Sequence, residues 1–309
     1  MDDTIVENSD SNVSKKSENK YRKSWEEFRA YIKHDKEPVE EEYLAYFDML
    51  RTTKNFKASS IWSKFSQLNG KHRQLYNAKL QDFKKLSALL NSYNEGYEPT
   101  SCNIFTAEQL RLFLEMPLYT PYWVARKCIT VLMISGGLRI DELKSINICD
   151  LQEIQGTYHI NFKREVQGEI RDQVVVLPEE FYPFVKHYLV MLKQYLGDDV
   201  DGSLLKSTFH DKDGFHNQNM GRNNISLVGR QIAEKLNLPD PNKYTPRSFR
   251  VTSAVLAAQA GYTTPELMER FGWAHSKTAD RLKKSAGIGE FDETDLKEMA
   301  SLAFVGSVR

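Results

Sequence analysis

Apolar residues in this chain recur with the period of a helix almost everywhere, and one stretch breaks the pattern. TYHINFKREVQGEIRDQVVVLP, residues 157–178, alternates along two segments joined by VQGE, which is the signature of two strands and a hairpin. A single strand-period segment among helical ones predicts a fold that is mainly α with a small β-sheet.

The helical segments sort into two groups. Residues 1–19 are polar, rich in Ser, Asn, Asp and Lys, and are expected to form a disordered tail. KYRKSWEEFRAYIKHD then places Trp25, Phe28 and Ile32 on one helical face. PVEEEYLAYFDMLRTT begins behind Pro38 with acids in its first turn, a favourable helix start. KASSIWSKFSQLNGKHRQLY and LQDFKKLSALLNSYN complete a four-helix unit over 20–93, and NEGYEPTSCN, residues 94–103, reads as a linker. A second domain over 104–285 opens at TAEQLRLFLEM, where Thr106 can cap a helix. A buried helix, a Gly-Gly break, another helix, the hairpin and a long amphipathic helix follow, then two helices divided by a Pro-rich turn. The tail, 286–309, holds a short helix with Leu296, Met299 and Leu302 on one side.

Composition narrows the function classes. No apolar run approaches the roughly 18 residues of a membrane span, so no membrane partner is expected. The N-terminus MDDTIVENSDSNVSKK lacks a basic-then-apolar signal, so secretion is not expected either. Cys102, Cys128 and Cys149 have neither metal-ligand spacing nor the look of a disulfide framework, which suits a reducing compartment and gives no reason to expect a metal or cofactor. The formal net charge is zero, yet charge is segregated. Between Arg51 and Leu90 stand nine basic residues, Arg51, Lys54, Lys57, Lys64, Lys71, Arg73, Lys79, Lys84 and Lys85, against the single acid Asp82. Phosphates respond to such local charge rather than to the net value. Trp62, Phe65, Tyr76 and Phe83, interleaved with these bases, fall on helix-periodic positions and read as core.

Three motifs carry candidate chemistry. SGGLRIDEL sets Arg139 just behind a Gly-Gly break, with Glu142 three residues on and able to hold its guanidinium. TPRSFRVTSA places Arg247 and Arg250 one helical turn apart, and FGWAH adds Trp273, an indole N–H donor. Taken singly these are an ion pair, a solvated face and core packing. Taken in order, two guanidiniums and an indole N–H can converge on a phosphate.

That order, with the hairpin between its parts, resembles the catalytic domain of the tyrosine recombinases, the phage-integrase-like enzymes. The segment GRQIAEKLNLPDPNKYTPRSFRVTSAVLAAQAG is especially similar to the recombinases of Crypton-type eukaryotic DNA transposons and their domesticated derivatives. The resemblance covers roughly residues 20–285 and implies a helical core-binding (SAM-like) domain followed by an α+β catalytic-like domain, together clamping double-stranded DNA. It implies that Arg139 and Arg250 are the paired phosphate-binding arginines and that Trp273 donates to the same phosphate. Arg247 stands where the family usually has His or Lys, so phosphate contact is implied there and proton transfer is not. Lys163 is the nearest counterpart of the hairpin lysine, with Arg171 on the returning strand. The family's tyrosine lies nine residues beyond Trp273, where this chain has Leu282, and no tyrosine follows Tyr262. A leucine cannot form a phosphotyrosine link, and neither His275 nor Thr278 nearby has a phenol's reach. The expectation is a catalytically inactive, transposon-derived, nuclear DNA-binding protein. Alternatives are a strand-transferase with an unorthodox nucleophile, and a protein-interaction module that has lost DNA binding. In the family the C-terminal helix docks onto a neighbouring subunit, and Leu296, Met299 and Leu302 could make that contact or pack on their own domain.

Overall fold

The computed structural model describes residues 15–96, 101–166, 169–208 and 214–286. The Gln167–Gly168 tip of the hairpin, residues 97–100 of the expected linker and the Leu296, Met299 and Leu302 stripe lie outside the described residues. The chain divides into two compact units, Met1–Thr100 and Ser101–Arg309.

The first unit contains α1 (Lys15–Ile32), α2 (Glu40–Thr52), α3 (Ala58–Tyr76) and α4 (Lys84–Ser92). α1 begins inside the stretch expected to be a disordered tail. Its polar start carries its own helical pairing, because Arg22 reaches Glu26 one turn on and Asn19 one turn back. Phe28, Tyr43, Phe47, Ile61, Leu68, Leu80, Leu86 and Leu90 make the buried core. Phe28 stacks on Tyr43 with ring centroids 4.5 Å apart, and Glu40 accepts from the Leu86 N–H at 2.9 Å, satisfying a free donor in the first turn of α4. Phe65 is buried, Trp62 and Phe83 pack against the core, and Tyr76 lies beside Trp25. The aromatic residues of the basic stretch therefore serve packing.

The second unit is wound around α6 (Pro121–Gly136), buried along nearly its whole length, its two buried cations held by hydrogen bonds, Arg126 to Thr208 and Lys127 to the Leu114 and Met116 carbonyls. Before it comes α5 (Ala107–Glu115). Thr106 accepts from the Gln109 N–H at 3.1 Å while the Gln109 side chain accepts from the Thr106 N–H at 3.0 Å, a reciprocal capping box. After α7 (Ile140–Ser145), the strands β1 (Leu151–Ile154), β2 (Thr157–Val166) and β3 (Glu169–Val176) form an antiparallel meander, with Ile160 opposite Val175 and Lys163 opposite Asp172. Tyr158, Ile160, Phe162 and Arg164 of β2 face the interior, as a period of two requires. α8 (Tyr182–Leu196), β4 (Lys206–Thr208), β5 (Phe215–Asn219), α9 (Arg222–Lys235), α10 (Pro246–Gln259), α11 (Thr264–Phe271) and α12 (Ser276–Ala286) complete the unit.

The expected hairpin is thus present, with β1 added at one edge and β4–β5 forming a separate two-stranded sheet. β1, β4 and β5 are four, three and five residues long, too short for an alternation to register in sequence.

Candidate functional site

The site is built on the Gly-Gly bend. Gly137 ends α6 with φ +53°, and a Cβ there would stand 2.2 Å from the Phe271 ring. Only glycine permits both the left-handed turn and the approach of α11. The bend delivers Arg139 to the residue before α7. Glu142 caps that helix by accepting the Arg139 N–H on Oε2 at 2.7 Å, and its Oε1 accepts from Arg139 Nη1 at 3.0 Å.

The same carboxylate receives a second arginine, Arg164 of β2, through Nε to Oε1 and Nη2 to Oε2, each 3.0 Å. Arg164 is 1% exposed and Glu142 6%. Burial opposes the charge on Glu142, but hydrogen bonds and charge from Arg164 and Arg139 outweigh it and hold the carboxyl below its ordinary value.

Backbone carbonyls complete the wiring. Three successive carbonyls at the end of α11 each accept from a different guanidinium: Arg270 from Arg164, Phe271 from Arg250, and Gly272 from Arg139 at 3.1 Å. Arg164 also reaches the Gly136 carbonyl at 3.2 Å, and Arg250 the Gly137 carbonyl at 2.5 Å. A helix C-terminus is short of donors and carries partial negative charge, so the ends of α6 and α11 seat cations. Gly272, in the left-handed region at φ +58°, lets the stem of Arg164 pass, since a Cβ there would meet Arg164 Cδ at 2.9 Å.

Arg139 and Arg250 are thereby brought to adjacent carbonyls. Burial, followed by the charges of Arg139 and Arg164, pushes the Arg250 guanidinium below its ordinary value. Arg139 keeps 40% of its side chain exposed. Arg247 is exposed one turn before Arg250 on α10 and makes no hydrogen bond or ion pair among the described residues. Trp273 stacks on Phe271 with centroids 5.0 Å apart, and Arg250 lies over the same Phe271 ring. The arrangement crowds positive charge around one carboxylate, and a bound anion would relieve that crowding.

Lys163 does not join this cluster. Strand alternation sets it on the face of β2 opposite to Arg164, in a cleft with Asn147, Asp150, Asn161 and Asp172. Arg171 pairs with Glu169 at the exposed end of the hairpin. Leu282 packs with Ala279 in the hydrophobic core, while His275 and Arg281 are exposed and Thr278 is half-buried. Sequence reasoning missed Arg164. The signal was present in Tyr158, Ile160 and Phe162, which share its strand face.

In the first unit, Lys54, Lys57, Arg73, Lys79 and Lys84 are exposed and form no ion pair among the described residues. Lys71 donates to Gln74 at 2.7 Å, and Lys85 pairs with exposed Glu41 at 3.3 Å. Lys64 differs: it is held by Glu27 at 2.5 Å and Ser24 at 3.1 Å with only 13% of its side chain exposed. Among the described residues no group of His, Cys, Asp or Glu is placed to hold a metal, and no helix is long and apolar enough to cross a membrane.

Residues 103–285, more than half of the chain, match the model of the phage integrase family. The chain belongs to the phage integrase family. Its fold is similar to that of the Tn1549 transposon integrase solved in complex with circular intermediate DNA, at 17% identity over 94% of this chain and 95% of that one, with a TM-score of 0.58. It is similar also to a lambda integrase dimer bound to a COC' core site, at 14% identity over 91% and 92% of the chains, with a TM-score of 0.56. No curated protein matches the sequence. The integrase fold, mostly helical with a small antiparallel sheet, thus spans both units of this family member.

Proposed function

We propose that this integrase-family chain binds duplex DNA through phosphate contacts and forms no covalent link with it. The observation that carries the reading is the pair Arg139 and Arg250, held on the adjacent Gly272 and Phe271 carbonyls beside the buried Glu142 that binds Arg139, with Arg247 exposed one turn from Arg250 and Trp273 stacked on Phe271. Planar guanidiniums with open faces suit phosphate oxygens. Exposed Lys54, Lys57, Arg73, Lys79 and Lys84, without ion pairs among the described residues, add charge along the first unit. Both similar structures were solved with DNA.

The reading as a non-cutting protein rests on Leu282. The residue at the position that the resemblance assigns to the nucleophile is an alkyl side chain, 8% exposed and packed in the core, with no nucleophilic atom to offer. Descent from a Crypton-type transposon recombinase, a nuclear location and a role in chromatin or transcription belong to the same proposal, supported by the sequence of α9, α10 and the turn between them. Self-association through the C-terminal helix is proposed on the Leu296, Met299 and Leu302 stripe, and sizing with and without residues 286–309 checks it.

The test is a titration of mixed-sequence duplex DNA at several salt concentrations, comparing wild type with Arg139→Ala/Arg250→Ala, each sample then denatured and run on a gel. Salt-sensitive binding, weakened in the variant and free of adduct, is the expected result. A covalent adduct would overturn the non-cutting reading, and wild-type binding that is absent or indifferent to salt would overturn the DNA reading.

A further inference from the structure

Glu142 poses an electrostatic problem. A carboxylate 3.0 Å from Arg139 should cancel the charge that a phosphate-binding arginine needs, since two opposite unit charges in contact largely neutralise one another at a distance. The structure contains an answer in Arg164. Glu142 Oε1 is shared between Arg139 and Arg164, while Oε2 is occupied by Arg164 and the Arg139 backbone N–H. The two-point pairing is with Arg164, which is buried and faces no solvent. Arg139 makes a single side-chain bond to the carboxylate and keeps an exposed edge.

We propose that Arg164 is a positioning residue of the phosphate site: by saturating Glu142 from the interior, it leaves Arg139 with its charge uncancelled and its outer edge available. The inference rests on the phosphate-binding reading and goes beyond it, because it gives a role to a side chain that touches no ligand. The three charges sum to one net positive charge, and that charge resides on the member that reaches the surface. Remove Arg164 and Glu142 becomes the sole counter-ion of Arg139, drawing its guanidinium inward and leaving the pair neutral.

A merely structural Arg164, tying β2 to the Gly136 and Arg270 carbonyls, predicts something different. The two are separated by charge, using Arg164→Met, Arg164→Lys, Arg164→Met/Glu142→Gln and Arg139→Ala beside wild type in the full chain. The readout is the salt dependence of binding to one mixed-sequence duplex. Each neutralised phosphate contributes a slope of about 0.9 in log K against log salt. Arg164→Met is expected to lose about that much, matching Arg139→Ala, which corresponds to roughly eightfold weaker binding at about 0.1 M relative to about 1 M salt. The double variant removes the buried charge and its partner together, a change that is often tolerated when removal of one partner is not, and it should regain the wild-type slope. Arg164→Lys keeps the charge while losing the fork, and should keep the slope.

A folded Arg164→Met protein with wild-type slope would overturn the proposal. So would a double variant no better than the single one, or loss of slope in Arg164→Lys. If Arg164→Met does not fold, the other two variants decide. If wild type fails to bind duplex at all, the DNA reading fails separately, and inorganic phosphate becomes the probe through its effect on the melting temperature at constant ionic strength. A phosphate-induced rise in wild type and the double variant that is lost in Arg164→Met supports the inference. An equal response in all three, or none in wild type, overturns it.

Discussion

The chain presents positive charge in two ways. In the second unit, Arg139, Arg164 and Arg250 are fixed by one carboxylate and a set of backbone carbonyls before any ligand arrives. In the first, Lys54, Lys57, Arg73, Lys79 and Lys84 stand in solvent with no ion pair among the described residues. Held guanidiniums lose little freedom on meeting a phosphate and can dictate its position, whereas loose lysines add attraction without geometry. Under the proposed function, the held arginines would supply register in one unit and the loose charges bulk affinity in the other. It also follows that the held charges should matter to folding, and the loose ones should not.

The largest expected effect strikes the held side. Glu142→Ala leaves Arg164 buried without a counter-ion, and should lower stability by about 3–5 kcal/mol in urea unfolding. A loss no larger than that of a surface substitution would erase the distinction. Leu282→Ala comes next, with an expected loss of about 2–3 kcal/mol, since the side chain is buried and its removal opens a cavity. A negligible cost would mean that position 282 is not tied to the core.

The pH dependence sharpens the same contrast. A carboxyl held below its ordinary value contributes stability above that value and loses it as pH falls through the lowered one. Stability should therefore drop on acidification below pH 4.5, the ordinary value for Glu142, and Glu142→Gln should flatten the drop. An unchanged profile in that variant would remove Glu142 from the account.

The smallest stability effects belong to the loose lysines. Alanine at Lys54, Lys57 or Lys84 should change stability by less than about 0.5 kcal/mol, while each residue that meets a phosphate removes about 0.9 from the salt slope. Lys64→Ala should leave the slope unaltered, because that ammonium is engaged with Glu27. If Lys64 proved as important to binding as Lys57, the division between held and loose charge would fail within the first unit.

How much of this could be read beforehand follows from the range of each interaction. The Gly-Gly bend, Arg139 and Glu142 are local, since a glycine pair and an i,i+3 pairing are visible within nine residues of sequence. The same holds for the Thr106 cap, and for Arg247 beside Arg250. Arg164 was missed although its strand face was readable, because its partners lie 22, 28 and 106 residues away and a charged residue in an amphipathic strand invites placement in solvent. The resemblance pointed instead to Lys163, its neighbour and the nearest lysine of the hairpin, which strand alternation turns the other way. Lys64 misled for the same reason, its acidic partner being 37 residues distant. The short strands β1, β4 and β5 gave no periodicity to detect.

The three carbonyls at the end of α11 have a consequence for how such a site can change over time. Arg270, Phe271 and Gly272 hold the guanidiniums through atoms that every amino acid possesses. The side chains at 270 and 271 could be exchanged, within the limits of packing, without deleting a single acceptor. Sequence drift can therefore change positions 270 and 271, though not Gly272, while leaving the grip on the arginines in place. An alanine scan would pass over that grip, whereas replacing one of these peptide bonds with an ester, which weakens the carbonyl as an acceptor, would expose it.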